Sequence, residues 1–341
     1  MDIHREEDKD KLKDDEQNFS IRTDLAIEAR EMLEEQNGDV DDGIVVKNEE
    51  SETMNITYVE ILNENGSKAM GKPQGNYITI ESEKLKENDV SSHQEISHKL
   101  LECITELSKA KEDTVFLVVG LGNWNITPDA LGPKVVSKIF VTRHMFDTLP
   151  KELNGAVRPV AAVSPGVMGI TGIETGEIIK GIVEKMKPDV IIAIDALAAR
   201  RFNRINSTIQ LSDTGISPGA GVGNRRMALN EETLGVPVIA IGVPTVVDAA
   251  TLVNDTMDTM LAQMKEAADK GTQFYEMLEN MEGEERYQLI YDLLDPYAGN
   301  MFVTPKEVDA VIDRLSGIIA SAINSALHPG IEIEDMGIYN C

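Results

Sequence analysis

Residues 114–133, TVFLVVGLGNWNITPDALGP, decide the fold. The first part, Thr114–Gly120, is a nearly continuous apolar run rich in β-branched residues, which is the pattern of a central parallel strand covered on both faces. The rest is a glycine-bearing polar loop leading into a helix, with Thr127 read as the N-cap, Pro128 at the first helical position and Asp129 in the first turn. A strand that hands a polar loop to a helix is the repeating unit of α/β sheets. In such sheets chemistry gathers at the carboxyl ends of the strands.

Working outward, Val157–Val163, Val190–Ile194 and Val238–Val243 repeat the apolar strand pattern, with helical segments between them. The sequence therefore predicts an α/β, three-layer sandwich with a mostly parallel central sheet. Upstream, Ala26–Glu35 reads as a helix and Asn55–Leu62 and Tyr77–Ile80 as short strands, so residues 50–85 form a β-rich elaboration. Ile96, Leu100, Cys103, Ile104 and Leu107 recur at spacings of three and four, which predicts an amphipathic helix with Cys103 in the core. Near the C-terminus Thr304, Pro305 and Glu307 read as a capping box that opens a last helix. Pro-rich and Gly-rich linkers are absent from the sequence, and a single α/β domain with an N-terminal elaboration is the simplest organisation. The first 18 residues, mostly acid and lysine, read as a tail.

Charge narrows the function classes. With 32 basic and 59 acidic residues the formal net charge is −27, so a broad basic face that grips nucleic acid or anionic membrane is excluded as a default. Hydrophobic residues make up 42% and aromatics 4%, which excludes wholesale disorder and predicts an aliphatic core. Cys103 and Cys341 are the only cysteines, too few for a disulfide framework or a thiolate zinc cluster, and they fit a reducing compartment. The N-terminus has no apolar segment and no run reads as ~18 apolar residues, so the expectation is an intracellular protein without a membrane span.

Five polar or glycine-rich loops follow apolar strands or near-strands, more than a scaffold needs, and they point to an enzyme. In the first, Asn123 and Asp129 stand beyond the Thr114–Gly120 run; Asp129 serves either as a helix cap or as a reactive carboxylate. In the second, Asp195 ends the run VIIAI, where a charge needs a cleft or a partner, and Arg200, Arg201 and Arg204 on a following helix are candidate ion-pair partners. Two such aspartates could converge and share a proton, one ionised to activate water and one neutral to protonate a leaving group, or they could bind a metal. Thr171 lies in the third loop, Ala162–Glu177. Asp213, Ser217 and Asn224, with Arg225 and Arg226, lie in the fourth, where four glycines make a backbone-lined cradle. Asp248 follows the last strand. The five histidines are scattered, Ser164 and Ser217 lack a histidine partner, and Ser–His, Cys–His and zinc chemistry are disfavoured.

The phrases GNWNITPDALGP, SPGVMGITGIETGE, PDVIIAIDALAAR, DTGISPGAGVGN and GVPVIAIGVPTVVDA, in this order, resemble the germination protease family of spore-forming bacteria, over essentially Ile21–Leu327. The resemblance implies an atypical aspartic-type endopeptidase that starts the degradation of small acid-soluble spore proteins, with a fold similar to hydrogenase-maturation proteases. Its two essential carboxylates match Asp129 and Asp195. It also implies a zymogen, a homotetramer and residence in the cytoplasm of the developing spore, the spore core, with no cofactor, no metal and no direct nucleic-acid contact. RTDLAIEA resembles the recognition sequence of the substrates, so autocleavage is expected between Asp24 and Leu25, making residues 1–24 a propeptide and 25–341 the peptidase domain. The alternative is a metal-dependent maturation-type peptidase that uses the same two carboxylates.

Overall fold

The computed structural model describes residues 23–37, 43–148, 156–219, 226–267, 290, 292–293 and 301–331. Helix α1 (Ala26–Asn37) precedes strands β1 (Ile44–Glu50) and β2 (Asn55–Ile61), the short helix α2 (Glu64–Met70) and strand β3 (Gly75–Glu81). Helix α3 (Val90–Ser108) leads to β4 (Phe116–Gly120), a 3-10 turn at Thr127–Asp129 and α4 (Leu131–Val136). Then come β5 (Val160–Val163), α5 (Met168–Thr171), α6 (Thr175–Met186), β6 (Val190–Ala199) and β7 (Thr208–Ser212). The described chain closes with α7 (Glu231–Leu234), β8 (Val238–Asp248), α8 (Ala249–Ala267), β9 (Phe302–Val303) and α9 (Val308–Leu327).

One sheet runs β1-β2-β3-β7-β8-β6-β4-β5, with β9 paired to β8. The expected apolar strands β5, β4, β6 and β8 are its parallel centre. Strands β7, β3, β2 and β1 extend it antiparallel, so the sheet is mixed and the β-rich elaboration is continuous with it. Helices cover both faces of the parallel centre. Phe116, Val118 and Ile192 pack with Ile96 and Leu100 of α3 and Leu315 and Ile319 of α9, while Leu117, Val119 and Ile191 face Ile179 and Val183 of α6. The alternation explains the unbroken apolar run: every position of β4 is buried, and each such large side chain contributes about 1.5–3 kcal/mol.

Several local expectations are corrected. Asp195 does not end its strand; β6 continues four residues to Ala199, because β8 runs beside it as far as Val247 with a register shift at Leu197/Ala198. The arginines beyond it lie at the strand end and in the 3-10 turn Phe202–Arg204, not on an α-helix. Ile126, not Thr127, holds the cap position before Asp129, and its turn is 3-10 rather than α. Thr304 caps nothing: its hydroxyl donates to the Thr245 carbonyl at 2.9 Å, and α9 starts three residues after Pro305. Contrary to the expectation that no run is long enough, α9 is by length and composition apolar enough to cross a bilayer. Here it is a core helix, with Ile312, Leu315, Ile319 and Ile323 fully buried.

Candidate active site

The loop after β4 is folded back by two glycines whose places no side chain could fill. Gly122 adopts φ +111, and a Cβ there would lie 2.0 Å from the Asp129 carbonyl oxygen. A Cβ on Gly132 would lie within 2.6 Å of backbone atoms of Leu121 and Ile194, so only glycine lets α4 press against β4 and β6. The Asn123 N–H then donates to Asp129 Oδ2 at 2.8 Å, and the Asn123 side chain accepts from Asn125, so Asn123 orients the carboxylate through its backbone.

Asp195 comes to the same place along the sheet. Gly120 pairs with Ile194, and the Leu121 N–H still donates to the Ile194 carbonyl at 2.8 Å, so Asp195 is the first residue of β6 past the end of β4. Only 7% of it is exposed. Burial, then the Asp129 and Asp24 carboxylates, push its pKa well above the usual carboxylate range, against the Ala196 N–H and Arg226. Asp129 is also raised, by burial, while the Asn123 N–H and Arg226 oppose the shift. The Arg226 charge therefore favours the ionised form of both carboxylates. The ion pairs of Arg201 and Arg204 go instead to Glu31, Glu28 and Glu81.

The N-terminal segment reaches this pair. The Ala198 N–H donates to Asp24 Oδ2, two backbone-to-side-chain bonds from Arg200 and Arg201 converge on the fully buried Glu28, and Leu25 is buried against Leu197, Ile27 and Ile216. Across the sheet Asp195 pairs with Gly242 and Gly242 with Gln210, which puts Gln210 and Asp195 on one face with no side chain between them in that row.

The other candidates have local duties. Asp248 caps α8, accepting from Ala250 and Thr251. Asp213 accepts from the backbone and side chain of Asn76 at the antiparallel end of β7, away from Asp195. Thr171 bonds within its own turn, to Val167 and Ile173. Ser217 is exposed, and Asn224 lies outside the described residues. Sequence reasoning missed Lys72 and Gln210. For Gln210 the signal was the alternation Thr208, Gln210, Ser212 against Ile209 and Leu211, a period-two strand with a buried amide that needs partners.

Fold and site together define an α/β protein that carries a carboxylate pair suited to acid–base work at the end of a parallel strand. Comparison with known proteins narrows the class. The chain matches the germination protease family over residues 23–276 and 263–340. It is 53% identical over 321 residues to a germination protease of Clostridium tetani, covering 94% of this chain and 99% of that one. With a germination protease of Bacillus cytotoxicus it shares 46% over 358 residues, 94% and 97% of the two chains. The chain belongs to the germination protease family and is a peptidase. Among solved structures it is similar to the NiFe-hydrogenase maturation protease HycI of Thermococcus kodakarensis, with TM-score 0.31 and 15% identity, covering 65% of this chain and 98% of that one.

Proposed function

We propose that this chain is an aspartic-type endopeptidase that begins the breakdown of small acid-soluble spore proteins in the spore core during germination, and that it is made as a zymogen cleaving itself between Asp24 and Leu25. The observation that carries this reading is the seat of that bond: Asp24 is tied to Ala198, three residues along β6 from Asp195, and Leu25 is fully buried. Asp195, the more strongly raised of the two carboxylates, acts as the neutral acid, and Asp129 as the ionised base. Asp129 takes a proton from water, whose oxygen attacks the Asp24 carbonyl carbon; Asp195 then protonates the Leu25 nitrogen as the C–N bond breaks. A substrate chain would lay an acidic residue at Ala198 and an apolar one against Leu197 and Ile216. The homotetramer belongs to the same proposal.

The test is N-terminal sequencing of the protein after processing, with cleavage of a small acid-soluble spore protein by the wild type, Asp129→Asn and Asp195→Asn, each with and without chelator. The expected product begins at Leu25, and both variants lose activity. Full activity in either variant overturns the carboxylate pair, and loss on chelation favours the metal-dependent peptidase.

A further inference from the structure

The peptide group between Asp24 and Leu25 has each polar atom engaged, and its carbonyl oxygen is held by side chains. Lys72 Nζ donates to Asp24 O at 2.9 Å, and Gln210 Nε2 donates to the same oxygen at 3.2 Å. The Leu25 N–H donates to Thr23 Oγ1 at 3.1 Å, and the Ala26 N–H donates to Gln210 Oε1 at 2.5 Å. Because the Ala26 N–H can only donate, the Gln210 oxygen must face it, and this fixes the amide nitrogen on the Asp24 carbonyl. One glutamine thus spans the bond, with a donor on the oxygen before it and an acceptor on the amide after it.

Both donors are placed by the fold. Gln210 is buried in β7, in the row that runs through Gly242 to Asp195. Lys72 follows Gly71, which closes α2 in the left-handed conformation at φ 61, and its own N–H donates back to the Ser67 carbonyl at 3.2 Å. Burial lowers the Lys72 pKa, and the carboxylates of Asp24 and Glu28 oppose that shift and favour the ammonium form. A cation and a neutral amide thus converge on one peptide oxygen, the one that gains negative charge if water adds to its carbon.

We propose that Lys72 and Gln210 are catalytic residues that form the oxyanion hole for scission of Asp24–Leu25. This rests on the reading of that bond as the processing site. When the water oxygen bonds to the Asp24 carbonyl carbon, the π-electron pair moves onto the carbonyl oxygen, where the two N–H donors hold it. The pair returns as the C–N bond breaks, the Leu25 nitrogen leaves as an amine carrying the proton from Asp195, and Asp24 leaves as a carboxylic acid whose remaining water proton passes to the now ionised Asp195. Donors already fixed before reaction stabilise the charge without reorganising. Both donors on the Asp24 oxygen are side chains.

The experiment follows the first-order appearance of the Leu25 N-terminus in full-length wild type, Lys72→Met, Lys72→Arg and Gln210→Glu, by intact-mass spectrometry, with thermal melting of each. Gln210→Glu keeps an acceptor for Ala26 and puts a carboxylate oxygen in place of the donor to the carbonyl. Lys72→Met and Gln210→Glu are each expected to slow scission by about 10²–10³-fold, with Lys72→Arg closer to wild type. Processing of both slow variants within about threefold of wild type, while wild type yields Leu25, overturns the oxyanion pair and leaves the processing site standing. A wild-type product that does not begin at Leu25 overturns the site and the pair together. If Lys72→Met fails to melt cooperatively, Gln210→Glu decides by the same criterion.

Discussion

Asp24 and Ala198 are joined twice: the Ala198 N–H donates to Asp24 Oδ2 at 3.0 Å, and the Asp24 N–H donates to the Ala198 carbonyl at 3.4 Å. The first bond reads the acidic side chain and the second holds the backbone. A charge-assisted hydrogen bond contributes about 1.5–3 kcal/mol, so Asp24→Ala is expected to slow release of the Leu25 N-terminus by about 10–100-fold, with Asp24→Glu closer to wild type. Time courses of intact mass measure this, and equal rates for all three proteins would remove Ala198 from substrate recognition.

Asp195 costs stability where it is ionised. Its pKa is raised in the fold, so the folded state binds its proton more tightly, and stability falls as pH rises from the unfolded value of about 3.9 through the folded one. Asp195→Asn removes that penalty. The variant is expected to melt higher than wild type at pH 7 and to converge with it toward pH 4, while losing activity. Melting curves across that range check it; a variant less stable at pH 7 than at pH 4, relative to wild type, would contradict the buried, protonated assignment.

His328 works in the opposite sense. It is fully buried between the Phe140 carbonyl and the Arg158 N–H, and burial lowers its pKa to about 4. The unfolded chain therefore takes up the proton first, and stability drops as pH falls from about 6.5 to about 4, by roughly 3 kcal/mol in total. Urea titrations at stepped pH should give a shallower dependence for His328→Gln over this window. An unchanged slope would move the titration to another group.

Arg204 is the hub that fastens α1 to the sheet, bonding Glu31 through both terminal nitrogens and Glu81 through Nε, with Glu28 at 3.5 Å. Only 6% of it is exposed. Removing one partner of such a buried network typically costs about 3–5 kcal/mol, so Arg204→Met should lower urea stability by that order and loosen the segment that carries Leu25. A loss below about 1 kcal/mol would class the network with ordinary surface pairs.

The parallel centre was legible because β4, β6 and β8 are buried on both faces and therefore read as apolar runs. The two aspartates were legible because they follow such runs. Strand β1 was not: after Ile44 its residues are exposed, and KNEE carries no alternation to read. Strand β7 hid its burial behind Thr208, Gln210 and Ser212, and the partners of the Gln210 amide, Asp24 and Ala26, come from a distant chain segment. Lys72 was invisible for the same reason, since its chemistry depends on Asp24, 48 positions away. Asp248 and Thr171 read as candidates because they follow apolar strands, and local turn bonds absorb them. Sequence marks where a polar group is unusual; only the fold says whether a neighbour already satisfies it.

The anchoring of α1 has a kinetic consequence. Because Glu28 and Glu31 fasten the downstream half of the Asp24–Leu25 bond to the turn just after β6 and to Arg204, the proposed reaction brings that bond to the carboxylates at a local concentration set by folding, not by dilution. The proposed scission is then expected to be unimolecular, with a half-time that is a property of each folded molecule, the same in a crowded compartment as in a dilute tube.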